Sequence, residues 1–563
     1  MNVFFRHRYA IVLALALTTF SWLGATRYLG AGRDDVFITL YAGQALADGQ
    51  GLVNYNGDRV EMSSSLFHTV VIAAIDFIAP NYVFTLNKIA GGVCGALTLV
   101  VLYLGRGLLF RVGQWRFPAY ALTLALVATN PAFLYWSFGG LETAFAGLFF
   151  TSYAIALLHH RFKQTPYVDA AVIGTQCLFI LTRPEGFYLI LFTAVYLTLM
   201  KVIARRPLRL RILLIPIAFL AALTAFRWAY FGALLPNTVY AKSGGIVEGV
   251  SNGLVYLTNF YNSGILLLCA FAIQGVLFAI YLRLLAKATQ SLPRRMPLPL
   301  ANILLFGLVL AAQCVVLFSG GDWMEHFRFL VPVMPLLTVL TVTQIASVFF
   351  ATSRRVVNRH ALVGAGAALA IGAFIVNFNQ SSLNTPRMLP LENREAGLQY
   401  SLREIIRQPG SLDEKIIRLN GPNRSFLNSF DPFLDEVLAD VYLDHQPIVI
   451  ATGQMGLFPY RIKQRFPDAD IKFVDTLGLC DSTIAHLPMP KDPIGLKDGR
   501  FVDMVLSNGA GPLSEYTMSQ EPNMAYMLGG AFDLTENIKR MKARGFQVIW
   551  DRNNEYLFLK TGD

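Results

Sequence analysis

Charge is scarce in this 563-residue chain: charged residues make up 15% of it, where a soluble globular protein carries about a quarter. With 54% hydrophobic residues and a mean hydropathy of +0.48, most of the polypeptide must be solvated by lipid. Cysteine is scarcer still. Of the five, Cys94, Cys177, Cys269 and Cys314 fall inside apolar runs, so Cys480 stands alone in soluble sequence and can form no disulfide within it. There is no C-x-x-C pair, and the eight histidines are scattered, so no metal cluster is visible. The sequence also lacks internal repeats, a long low-complexity tract and a hydrolase elbow around any serine. Its "GQMG" stretch is not a dinucleotide fingerprint, because the rest of G-x-G-x-x-G is missing. Acid is outnumbered, leaving a net charge of +11. The bases sit in short clusters between apolar runs, which is a topology signal and argues against nucleic acid as a partner.

What is present is a series of apolar stretches. A hydrocarbon core about 30 Å thick takes about 20 apolar residues per helix. Eleven candidates occur, at approximately 9–29, 84–110, 117–132, 143–158, 167–182, 186–202, 212–231, 262–285, 299–318, 329–351 and 360–377. The first follows a basic flank, has no small-x-small cleavage site after it, and reads as an uncleaved anchor. The stretch 65–80 is short, begins "SSSLFHT" and carries Asp76, so it reads as a helix lying along the interface. His68 in that stretch reads as structural.

Lys and Arg accumulate in cytoplasmic loops. With the N-terminus in the cytoplasm, the clusters around Arg6 and Arg8, Arg106–Arg116, Arg161–Lys163, Lys201–Arg211, Arg283–Arg295 and Arg354–Arg359 all fall on one side. Counting 65–80 as a twelfth span would split them between the two sides, the first cluster on one and the other five on the opposite one. The threading puts five loops rich in acids, glycine, proline and aromatics on the opposite face: "GRDDVFITLYAGQALADGQG", "YWSFGGLET", "TRPEG", "LLPNTVYAKSGG" and "SGGDWMEHFRF".

After about residue 378 the composition becomes that of a soluble domain. "QPIVIATGQMG" and "ADIKFVDTLGLCD" read as buried strands ending in glycine turns, "GFQVIWDRNNEYLFLK" as a terminal hairpin, and "SLREIIRQ" and "LTENIKRMKARG" as helices. The expected fold is a membrane all-α multispan body of about 11 helices, residues 1–377, with an exterior α/β domain, residues 378–563, joined through the polar stretch "NFNQSSLNTPRM".

Asp34 and Asp35 follow the first span directly. Two adjacent carboxylates at a membrane surface are costly unless hydrated or paired. One suits a general base or charge stabiliser and the other a group that binds acceptor, metal or a basic partner; the plainer reading is a helix N-cap before "VFITLYAGQALADG". "GGDWMEHFRF" packs Asp322, Trp323, Glu325, His326 and Arg328 into one turn. An arginine beside aromatic rings at an interface suits a phosphate, or merely anchors the chain there. "NTVYAK" sets Asn237, Tyr240 and Lys242 near the outer surface, "TRPEG" pairs Arg183 with Glu185, and "GGLET" places Glu142 at a helix start.

The ordered series "DDVFITLYAGQALADGQGLVNYNGDRVE", "GGLET", "RPEG", "PNTVYAK", "GGDWMEHFRFLVPVMP" and "VDTLGLCD" resembles the terminal arabinofuranosyltransferases of mycobacterial cell-wall synthesis, within the GT-C glycosyltransferases. The segment "VEMSSSLFHT" departs from that pattern. The resemblance implies transfer of a sugar, arabinofuranose first, from a polyprenyl-phosphate donor to a cell-envelope glycan on the outer face of a bacterial cytoplasmic membrane. It implies catalytic roles for Asp34 and Asp35 and a phosphate-binding role for Lys242, Arg328 and Arg183. Glu142, Asn237, Tyr240, Asp322, Trp323, Glu325 and His326 would bind substrate. A divalent cation held by the acids stays open. Two rivals from other classes are a transporter of lipid-linked sugar, which would show repeats and acids at mid-membrane depth, and an envelope scaffold, which would not require the acid pair.

Overall fold

The computed structural model describes residues 2–276 apart from breaks at 31, 203–206, 243–245, 264–266 and 268–269; residues 300–352 apart from 323; and 410–419, 430–431, 434, 447–487, 512–528, 534–552 and 555–560. By its contacts the chain divides into two compact units. The first takes Met1–Leu29, Lys88–Ala221 and Gly249–Arg394, and the second Gly30–Asn87, Ala222–Glu248 and Glu395–Asp563.

The first unit is helical. Among the described residues of the whole chain, six helices are long and apolar enough to cross a membrane, and the bent pair Gly113–Ala128 and Pro131–Phe138 makes a seventh if it is one span. These correspond to seven of the eleven expected crossings. The bend of 52° has a local cause. Pro131 cannot continue the preceding hydrogen-bond ladder, and the Asn130 carboxamide oxygen restarts the helix by accepting the Phe133 N–H at 2.9 Å. Two further expected crossings form the helices Thr143–Phe162 and Pro166–Thr182. The former carries Thr, Ser, Tyr and His along its length, and the latter has 17 residues, about 26 Å at 1.5 Å per residue. The stretch 360–377 and most of 262–285 lie outside the described residues, as do the linker and "SLREIIRQ". Large aromatics fill the interior of this unit: Trp136, Tyr153, Tyr196, Phe133 and Phe150 are all buried.

The second unit is built on a five-stranded sheet: β1 (Ile448–Thr452), β2 (Ile471–Asp475), β3 (Met524–Leu528), β4 (Phe546–Arg552) and β5 (Glu555–Lys560), in the order β2-β1-β3-β5-β4. β1 runs parallel to β2 and β3. Its near-continuous apolar run, IVIAT, is what a strand covered on both faces requires. β5 pairs antiparallel with β3 and β4. Both expected strands and the terminal hairpin are present, and the helix Leu534–Ala543 is followed by Gly545 at φ 84°, a conformation glycine reaches without strain. Ala451, Val474, Ile484, Ala525, Met541, Phe546 and Phe558 form the core of this sheet.

The segment after the first span belongs to this unit. Helix Val36–Ala47 packs on helix Leu66–Ile78, whose start is capped by the Ser65 hydroxyl accepting the His68 N–H. Its 13 residues reach about 20 Å, short of a crossing. The exposed Asn56 side chain brackets the free edge of β2, donating from its amide nitrogen to the Phe473 carbonyl at 2.9 Å and accepting the Phe473 N–H at 2.8 Å. Asn54 donates to the Cys480 carbonyl at 2.9 Å. Deeper in, Arg227 forks onto Glu61 at 2.7 and 2.9 Å, both side chains buried. Removing one partner of such a pair costs about 3–5 kcal/mol.

Candidate functional site

Asp34 and Asp35 form the turn that starts helix Val36–Ala47, whose first N–H groups reach the Arg33 and Asp34 carbonyls at 3.1 and 3.0 Å. Neither aspartate side chain caps that helix. Asp35 occupies the N-cap position with no side-chain bond to it, while the Asp34 carboxylate accepts the Gly456 N–H at 3.0 Å and the Leu457 N–H at 2.6 Å. Asp34 therefore caps a different helix, Leu457–Arg465. Gly456 makes the approach feasible, because a Cβ there would overlap the Asp34 carboxyl carbon and oxygen. The Tyr55 hydroxyl donates to the Phe37 and Gly456 carbonyls, each at 3.3 Å, and its ring lies 4.3 Å from that of Tyr41.

Burial pushes the Asp34 carboxyl up to about 6; the Leu457 N–H opposes the rise, the Asp35 charge adds to it, and the Gly456 N–H opposes it. Asp34 is thus ionised at neutral pH but more basic than an ordinary aspartate, which is the condition a general base needs. Asp35 is half-buried at a helix start, where the helix dipole favours a carboxylate.

In the same unit, helix Asn237–Lys242 packs on helix Ser482–His486. The Asn237 amide nitrogen donates to the carbonyls of Gly478, Leu479 and Asp481 at 2.8, 3.0 and 3.3 Å. The loop it grips is braced from within by Asp475, whose carboxylate accepts the N–H groups of Leu477 at 2.9 Å and Cys480 at 2.6 Å. Tyr240 stacks on His486 with ring centroids 4.3 Å apart. The motifs "NTVYAK" and "VDTLGLCD" are therefore two halves of one joint, held together through Asn237 and Tyr240. Lys242 is half-buried at the last turn of its helix.

The first unit holds the other charged residues, and they hold each other. Arg183 reaches Glu142 at 2.5 Å and Glu185 at 2.9 Å. Arg328 reaches Asp322 at 2.6 Å. Both guanidinium groups lie over the Phe329 ring, 4.6 Å and 5.3 Å from its centre, and Arg328 is 5.8 Å from that of Trp136. The Tyr135 hydroxyl donates to the Glu325 carboxylate at 2.8 Å, and the Trp136 indole N–H to the Glu325 carbonyl at 3.1 Å. Tyr135 also packs on the His326 ring at 4.7 Å. His326 and Phe327 sit at φ 57° and 52°, left-handed conformations that cost of order 1–3 kcal/mol each and persist only where surrounding contacts enforce them. The turn brings Arg328 and the Phe329 ring up to Arg183. Trp323 lies outside the described residues.

Each unit thus assembles its own share of the expected residues: Asp34, Asp35, Asn237, Tyr240 and Lys242 in the second; Glu142, Arg183, Asp322, Glu325, His326 and Arg328 in the first. Among the described residues no three His, Cys, Asp or Glu side chains come together as metal ligands. Sequence reasoning missed Gly456, Tyr55, Asn54 and Asn56, although "VNYNGD" lies directly after the aspartate helix. It also passed over Lys88, buried in an apolar helix with its ammonium donating to the Phe138 carbonyl at 2.8 Å; a lysine inside a span is itself a signal.

No protein-family model matches the chain. Over 387 residues it is 28% identical to the terminal beta-(1->2)-arabinofuranosyltransferase of Mycobacterium tuberculosis, a match covering 63% of this chain and 58% of that relative. The chain thus spans less than two thirds of the curated relative it matches. Among solved structures, the archaeal oligosaccharyltransferase AglB from Archaeoglobus fulgidus, in complex with an inhibitory peptide and a dolichol-phosphate, aligns over 99% of this chain and 75% of its own at a TM-score of 0.50 and 11% identity. The fold is that of the GT-C glycosyltransferases. ArnT from Cupriavidus metallidurans, bound to undecaprenyl phosphate, aligns over 98% of both chains at a TM-score of 0.45 and 14% identity. The GT-C fold and the multispan membrane body agree with the sequence expectation.

Proposed function

We propose that this chain is an integral membrane glycosyltransferase that moves a sugar, arabinofuranose in the first instance, from a polyprenyl-phosphate donor to a cell-envelope glycan. The observation that carries the reading is the Asp34 carboxylate, seated on two backbone N–H groups directly after the first span and raised to about 6. The similarity to an arabinofuranosyltransferase supports the sugar and the transfer reaction. In an inverting transfer the acceptor hydroxyl oxygen bonds to the anomeric carbon, its proton passes to Asp34, and the bond from the anomeric carbon to the phosphate oxygen breaks with its electron pair leaving on the phosphate. Cations must meet that developing charge, a role assigned to Lys242, Arg328 and Arg183. The carboxylates already bound to Arg183 and Arg328 fix the direction of each guanidinium fork before the lipid arrives. Asp35 stabilises the sugar's oxocarbenium-like charge or orients the acceptor. The reaction takes place on the outer face of the cytoplasmic membrane, with the N-terminus inside and the C-terminal α/β region outside.

The test is transfer by the purified full-length protein from a polyprenyl-phosphate arabinofuranose to arabinan oligosaccharides. Asp34→Asn is expected to lower kcat by about 10²–10⁴-fold, and full activity in that variant would remove the mechanism.

A further inference from the structure

We propose that Gly456 is a positioning residue for this transfer, so that the C-terminal α/β region supplies the setting of the catalytic carboxylate. The inference rests on the reading of Asp34 as base and goes beyond it. A helix start is ordinarily capped by the side chain of its own N-cap residue. Here the N-cap of Leu457–Arg465 is a glycine with no side chain to offer, and the carboxylate comes from a residue 422 positions earlier. Both Asp34 oxygens are engaged, Oδ2 by the Gly456 N–H and Oδ1 by the Leu457 N–H, which fixes the plane of the carboxylate as well as its location. The Tyr55 hydroxyl shares its one proton between the Gly456 and Phe37 carbonyls, so the two chain segments are linked again one turn after Asp34. A base must be held within a few tenths of an ångström of its productive place to be effective. A bare N-cap lets the carboxylate in, and any side chain at 456 shuts it out.

The decisive variant is Gly456→Ser, whose Cβ would overlap both the Asp34 carboxylate and the Asp34 backbone carbonyl oxygen, so that the acid must leave its seat. Assayed as full-length protein with a polyprenyl-phosphate arabinofuranose, the folded variant is expected to lose kcat at least tenfold with the donor KM within twofold. Tyr55→Phe should show the same kcat-only pattern at a few-fold. Carbodiimide labelling of Asp34, read by mass spectrometry, gives a readout without turnover: protection at pH 7 in the native protein and reaction in Gly456→Ser. Wild-type kcat and unchanged labelling in a folded Gly456→Ser overturn the inference; if that variant does not fold, wild-type kcat and labelling in Tyr55→Phe do so. Asp34→Asn, run alongside, separates the two readings. If it is fully active, the base assignment itself falls. If it is dead while Gly456→Ser is normal, the positioning role alone falls.

Discussion

The two units fix the charged residues of their candidate sites by opposite means, although the second also contains the side-chain pair Arg227–Glu61. In the first, side chains hold side chains: Arg183 lies between Glu142 and Glu185, and Arg328 against Asp322. In the second, the main chain holds the side chain, with backbone N–H groups on Asp34 and Asp475 and backbone carbonyls on Asn237. The difference matters for mutation. A pair of side chains fails when either partner is replaced, whereas a side chain held by backbone is insensitive to the identity of its holder unless the holder must be small.

The largest effect that would sharpen this contrast is expected in the first unit. Asp322→Asn leaves the Arg328 guanidinium buried without its carboxylate, and the protein should lose about 3–5 kcal/mol, read as a lowered melting temperature in detergent. Native stability there would show that the pair is not a structural element. Next comes pH. As the proposed base Asp34 must be ionised, and it sits at about 6, so kcat/KM should be level above pH 7 and fall about tenfold per unit below pH 6. The limb should persist in Asp35→Asn; its transfer to that variant's loss would exchange the roles of the two acids. Smallest is Asn56→Ala, which opens the β2 edge and removes two hydrogen bonds worth about 1 kcal/mol each; a few degrees of melting temperature with kcat preserved is the expected result. A large loss of activity instead would tie that edge to the chemistry.

The same contrast explains what the sequence made legible. Charged pairs crowd into short motifs, "TRPEG" and "GGDWMEHFRF", so Arg183 and Arg328 stood out. β1, β2 and the terminal hairpin were readable from apolar runs closed by glycine turns, and Leu66–Ile78 from being too short to cross. β3 was not: NMAYML has no β-branched residue and is made a strand by neighbours distant in sequence. Asn56 and Phe473, 417 positions apart, give no local sign of each other. Nor does a glycine announce that its missing side chain is the point; "GQMG" was read only as a failed nucleotide motif, yet its second glycine seats Asp34.

The distance between Asp34 and its seat has a consequence for biogenesis. At about 5–20 residues per second, the 422 intervening residues take the ribosome roughly 20–80 s to deliver. During that interval the nascent chain already has its first helices but no seat for Asp34. A truncated product missing its last quarter would therefore carry Asp34 without the backbone that seats it.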